Sequence, residues 1–277
     1  MIRLKQTIRG ATHLLSDLTS KIGATMRGTY RSVGAEVREV PALLPRMDHD
    51  GSRLLTFDES FARLRERGYH STPKTGLGPV FGPGLDVDDI LAGSPNITAL
   101  VQDIQRKGWR IRYGDPGSGT WASHGMKTIN LDGNLKMNPQ RAASSLIHEL
   151  DHANRPDPRT DLRSDPSLNR DEWVEFKVKA LLRGEGTAIL LQLIERKRIL
   201  DNSGLDIGFA GGVHSDEYIK IGDRYLSGKI DEEQAVTKFS SLVMSDTPGS
   251  SKSTTTYAEY FRKSSERAWN ALGYDSA

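Results

Sequence analysis

The run from Asn138 to Asn154 constrains the chain more than any other. Pro139 fits the first turn of a helix, and Leu146, Leu150 and Ala153 follow at i, i+4 and i+7. That spacing predicts an amphipathic helix held in a core along one stripe. Inside it stands His148-Glu149-Leu150-Asp151-His152, an H-E-x-x-H sequence. Residues four apart lie one above the other on a helix face, so the two imidazoles are spaced to grip one metal ion. Glu149 is rotated by roughly 100° from His148. It therefore does not join the metal but reaches a water bound to it.

Two histidines need a third protein ligand to make a catalytic site with one open position. The chain has no cysteine, which excludes thiolate sites, disulfides and cysteine nucleophiles and leaves His, Asp and Glu as ligands. A continuation to H-x-x-G-x-x-H fails, because Arg155 and Pro158 occupy the glycine and third histidine positions. The third ligand is then expected to be a carboxylate on a later helix. Glu185, in Gly184-Glu185-Gly186-Thr187-Ala188, is preferred, since small neighbours let two helices approach closely. Glu175 is its rival, and it reads equally as a surface carboxylate paired with Lys179 four residues on.

Around this motif the chain of 277 residues divides into three. Residues 1–70 form an N-terminal segment with a helical stripe over 2–26 (Leu4, Ile8, Ala11, Leu15, Leu18, Ile22) and a second helix from Asp58 to Arg67. That stripe suits packing, or docking to a chaperone, a secretion adaptor or a membrane surface. Residues 71–95 hold Pro73, Gly76, Gly78, Pro79, Gly82, Pro83, Gly84, Gly93 and Pro95, which predicts an irregular linker. Residues 96–277 form the main domain. Helices are expected at 97–107, 138–154, 170–182, 186–199, 215–227, 231–244 and 256–271, strands at 109–113 and 127–132, and a mobile Ser/Thr-rich loop at 245–256. The fold class is α+β, mostly helical, with a small sheet.

Charge and hydropathy narrow the partners. The 38 Lys plus Arg nearly balance 36 Asp plus Glu, for a net charge of +2, and no concentrated basic face points to nucleic acid. No stretch approaches the ~18 apolar residues of a membrane span. The first ten residues are broken by charge every few positions, unlike a secretory signal. Export is therefore expected to follow a signal-independent route, although the basic, hydroxyl-rich first 35 residues also fit an organellar transit peptide.

With His148-Glu149-x-x-His152 followed downstream by Glu185-Gly-x-Ala, the chain resembles the gluzincin metallopeptidases, and more narrowly the metallopeptidase effectors and toxins of bacterial specialised secretion systems. The run Ser145-Leu-Ile-His-Glu-Leu-Asp-His-Ala153, the strand upstream of it and the late Tyr257-Ala-Glu-Tyr260 segment support the likeness over residues 97–200, more loosely over 256–270. The resemblance implies a zincin-like domain, Zn²⁺ on His148, His152 and Glu185, and hydrolysis of a protein or peptide with Glu149 as general base. It also implies an effector that is cytoplasmic in the producing cell and meets an immunity protein or a host target. The separation of His152 from Glu185 is longer than in the best-known gluzincins.

If zinc is bound, Tyr257, Tyr260 and His214 are the candidates for oxyanion stabilisation. His124 is a candidate cleft residue, and Asp132 and Asp151 are candidates to orient a ligating ring. Strand 127–132 is expected to be an edge that pairs with an extended peptide. Two competing readings are a cell-wall peptide hydrolase of the same chemistry and a non-enzymatic helical adaptor.

Overall fold

Asn138 accepts a hydrogen bond from the Arg141 N–H (3.0 Å), and Pro139 occupies the first turn of the helix that follows, α3 below. Caps of this kind recur along the chain. The structure, a computed structural model, describes residues 75–77, 86–157, 168–248 and 255–272. These all fall in one unit, Arg53–Ala277. The helices expected over 2–26 and 58–67 lie outside the described residues.

The elements are α1 (Val87–Leu91), α2 (Pro95–Arg106), β1 (Arg110–Tyr113), β2 (Trp121–Ser123), β3 (Thr128–Leu131), a 3-10 turn (Gly133–Met137), α3 (Pro139–Asn154), α4 (Arg170–Ser203), α5 (Ser215–Leu226), α6 (Glu232–Val243) and α7 (Tyr257–Leu272). The described part is thus mostly helical with one three-stranded sheet. The sheet order is β1-β3-β2: β1 pairs parallel to β3, with Ile111 opposite Ile129, and β2 pairs antiparallel to β3, with Ala122 opposite Ile129.

Several expectations are corrected here. Strand β3 is the centre of the sheet, buried at all four residues, and not an edge. Among the described residues the edges are β1 and β2, and β2, at three residues, is too short to show alternation. The run 71–95 is not a linker throughout. Val87, Ile90 and Leu91 of α1 are buried in the core, Asp86 caps the helix reciprocally with Asp89, and Thr75 donates its N–H to Asp88 (3.0 Å). The two helices expected at 170–182 and 186–199 are one helix of 34 residues, about 50 Å long. Asn169 opens it with a capping box on Glu172, and Gly204, at φ +75°, closes it in the left-handed conformation that glycine adopts freely.

Two apolar cores result among the described residues. The sheet core gathers α1, α2, β1, β3 and the inner face of α3, where Leu146, Ile147 and Leu150 are fully buried. Each such side chain stabilises the fold by about 1.5–3 kcal/mol relative to exposure. The helical core gathers Trp173, Val178 and Leu190 of α4, Tyr218 of α5, Phe239 of α6 and Phe261 and Trp269 of α7. Helix α4 belongs to both, because Leu191 and Ile199 face the sheet core. No helix among the described residues is long and apolar enough to cross a membrane.

Candidate metal centre

The seam between α3 and α4 holds a group of three ligand atoms. His148 and His152 stand one turn apart on α3, with their Nε2 atoms 3.1 Å from each other. Glu185, in the middle of α4, brings Oε2 to 3.2 Å from His148 Nε2 and Oε1 to 3.5 Å from His152 Nε2. All three side chains are largely but not wholly buried, at 18%, 24% and 13% exposure. Donors held about 2.0–2.1 Å from one tetrahedral ion stand about 3.3–3.4 Å from each other. The observed triangle has that size, and two imidazoles with one carboxylate are a donor set that divalent transition ions accept. The group can hold a metal ion. Of the two rival carboxylates, the structure brings Glu185 to the histidines. Glu175 is exposed and pairs with Arg262 of α7 instead of Lys179.

The electrostatics follow from the packing. Burial alone would raise the Glu185 carboxyl, but the charge of His152 and the hydrogen bonds of both imidazoles outweigh it and hold the group far below the carboxylate range. Glu149, 7% exposed, moves the other way. Loss of water raises it, the two histidines lower it less, and Glu185 adds repulsion. The main chain of Ala122 in β2 lowers it slightly, so the edge strand and the glutamate lie close together.

His124, in the turn between β2 and β3, lies against the backbone of α3: its Nε2 is 3.0 Å from the His152 carbonyl oxygen. Its ring meets Trp109 edge-on, with centroids 5.1 Å apart. Of the three oxyanion candidates, Tyr257 is the one that feels the triangle. Burial and then the charges of Glu185 and Glu149 push its phenol far above its ordinary value, so it stays protonated. Tyr260 is 43% exposed, with its ring against Phe261. His214 points its Nε2 at Ser245 Oγ (3.3 Å) and Asp246 Oδ1 (3.7 Å). Asp132 does not orient a ring. Its carboxylate receives the N–H groups of Gly117, Gly119 and Asn134 at 2.7–3.0 Å, fixing the loop before β2. Asp151 also misses the rings and bonds to Arg155 and to Thr187 Oγ1 (3.2 Å).

Three participants escaped the sequence reading. Ala122 acts on Glu149 through its main chain and has no side-chain signature. Asp246 lies in a run read as a mobile loop, yet it is buried, accepts from Tyr218 Oη (2.5 Å) and holds the start of α7 through Tyr257 N–H to its carbonyl (2.7 Å). Arg155 falls in a polar stretch of alternating Arg and Asp; its position three residues after His152 was the available signal.

Comparison with protein families, with characterised proteins and with solved structures gives no match for this chain.

Proposed function

We propose that the protein is a zinc-dependent metallopeptidase with a zincin-like catalytic domain. The observation that carries this is the triangle of His148, His152 and Glu185, with Glu149 buried beside it. Zn²⁺ bound to the three ligands would supply Lewis acidity, drawing the pKa of a water from ~15.7 towards ~7 and polarising a carbonyl.

The chain's own residues then have distinct tasks. Glu149, raised by its burial, is matched to take a proton from the attacking water on its carboxylate and pass it to the leaving amine nitrogen. Tyr257 keeps its proton at neutral pH and is the preferred donor to the oxyanion. Among the described residues strand β2 pairs on one side only, with β3, and takes over the role of the peptide-holding edge first expected of β3. The substrate class is a protein or peptide. An exported effector or toxin remains the setting that the family resemblance implies.

Metal content and hydrolysis test the proposal together. Purified full-length protein is expected to carry about one equivalent of zinc. Glu149→Ala keeps the metal and loses about 10²–10⁴-fold in peptide hydrolysis, whereas Glu185→Ala loses the metal. Full zinc occupancy and full activity in Glu185→Ala would sink the ligand assignment. A wild-type protein that takes up no metal leaves only the adaptor reading.

A further inference from the structure

We propose that Asp151 and Arg155 are positioning residues that set the spacing of the metal triangle by clamping α3 to α4. The inference rests on the zinc reading above and adds to it the device that brings Glu185 within reach of both imidazoles.

The two histidines and Glu185 sit on separate helices, and nothing in H-E-x-x-H fixes the distance between those helices. Asp151 lies between the histidines in sequence but is turned towards α4, with 3% exposure. Its carboxylate takes a short bond from Arg155 Nη2 and a second, at 3.2 Å, from Thr187 Oγ1 of α4. Arg155 follows the last residue of α3. Its Nε donates back to the Asp151 carbonyl (3.3 Å), and its Nη2 crosses to the Gly184 carbonyl of α4 (2.6 Å). That carbonyl belongs to the residue before Glu185, and Thr187 Oγ1 lies 2.9 Å from it, so its one hydroxyl proton is shared between this carbonyl and the Asp151 carboxylate. The bonds therefore surround Glu185 within one turn.

Gly184 is part of the same device. A Cβ built on it would stand 2.7 Å from Arg155 Nη1, so a side chain there would push the guanidinium off its carbonyl. A guanidinium has donors and no acceptor, so Arg155 cannot receive the Nδ1–H of His152, although Nη2 lies 3.2 Å from that nitrogen. Its influence on the site runs through Asp151 and the α4 backbone as well as through this contact with His152, where it can only donate. A buried ion pair is a poor way to stabilise a fold when an apolar pair of similar volume serves as well. Its directional bonds do define a helix-to-helix distance.

The test uses the full chain, with zinc affinity read by competition with a chromophoric chelator and thermal unfolding of the metal-free protein read alongside. Asp151→Asn and Arg155→Lys are expected to weaken zinc binding about 10–100-fold at temperatures where the metal-free variants are fully folded. Gly184→Ala is expected to act in the same direction. Thr187→Val removes a single hydroxyl from the network and keeps the test open should the charge variants fail to fold; a three- to tenfold loss is expected, about one hydrogen bond's worth. A purely structural role predicts lower melting temperatures with zinc affinity unchanged. That result, or tighter zinc binding on loss of the Arg155 fork, overturns the clamp alone. A wild-type chain that binds no zinc overturns the clamp together with the metallopeptidase reading.

Discussion

The sheet core and the helical core treat the helix they share in opposite ways. Towards the sheet, α4 presents a few aliphatic side chains, Leu191 and Ile199, against α1, α2 and α3. Towards α5, α6 and α7 it presents Trp173, Val174, Val178, Leu182, Ile189, Leu190 and Leu193. Helix α3, in contrast, buries one stripe and leaves its histidine face to the seam. Glu185 therefore rides on a helix anchored mainly in the helical core, while His148 and His152 ride on one anchored in the sheet core. The triangle of His148, His152 and Glu185 joins two separately packed regions, and its geometry depends on how firmly α4 couples them.

The largest effects should come from breaking either core. Phe239, fully buried with its ring centroid 6.0 Å from that of Tyr218, is expected to cost about 3–5 kcal/mol on truncation to Ala, and Leu146→Ala about 2–5 kcal/mol. If α4 makes the two regions one cooperative unit, each substitution lowers the same transition. Trp109 reports on the sheet core and Trp173 on the helical core. Denaturant curves followed by fluorescence in variants that retain only one of these tryptophans should share a midpoint. Midpoints that separate in Phe239→Ala would show that the cores melt independently.

The same contrast explains which parts of the molecule could be read from sequence. Helix α3 announces itself locally: Pro139 at its start, a single apolar stripe, and two histidines on the opposite face. Helix α4 does not, because it is apolar on more than one side and has Gly184 and Gly186 in its middle. Those glycines read as a break between two helices. In the structure they mark close approaches. A Cβ at Gly186 would lie 2.6 Å from Ser240 Oγ and 2.8 Å from the Val236 carbonyl of α6, and one at Gly184 would meet Arg155. The small neighbours of Glu185 did suggest that helices come close there, which is why the carboxylate that meets the two histidines was legible before the helix that carries it. The order of the sheet was not legible, since pairing between β1 and β3 is set by contacts that no single segment contains. Strand β2, at three residues, gives no period to detect.

A smaller effect should appear where α4 ends against the sheet core. Arg196 grips Asp206 with two bonds (2.6 and 2.5 Å), and Asp206 also receives the Gly208 N–H (2.8 Å). Burial would raise the Asp206 carboxyl, but Arg196 and Gly208 outweigh it and hold it below its ordinary value of 3.8. The unfolded chain then binds the proton more readily than the folded one. The stabilisation is complete above the ordinary value and disappears as pH falls through the lowered one. Asp206→Asn is expected to cost about 1 kcal/mol at neutral pH, with the difference from wild type fading in strong acid. A cost that persists unchanged at the lowest pH would mean that shape, and not charge, holds this loop to the helix.

The smallest effect sharpens the comparison most, because it concerns a carboxylate on the same helix as Glu185. Glu175 lies ten residues earlier, about 15 Å along the axis, at the end of α4 anchored only in the helical core. Its side chain is exposed and its partner is Arg262 on α7, itself exposed. Such a pair is worth little in water. Glu175→Ala is therefore expected to change stability by no more than about 0.5 kcal/mol, and to leave both zinc content and hydrolysis at wild-type levels. Parallel measurement with Glu185→Ala separates position on the helix from the chemistry of a carboxylate. Loss of metal from Glu175→Ala, with metal retained in Glu185→Ala, would move the third ligand out of the seam and into the helical core.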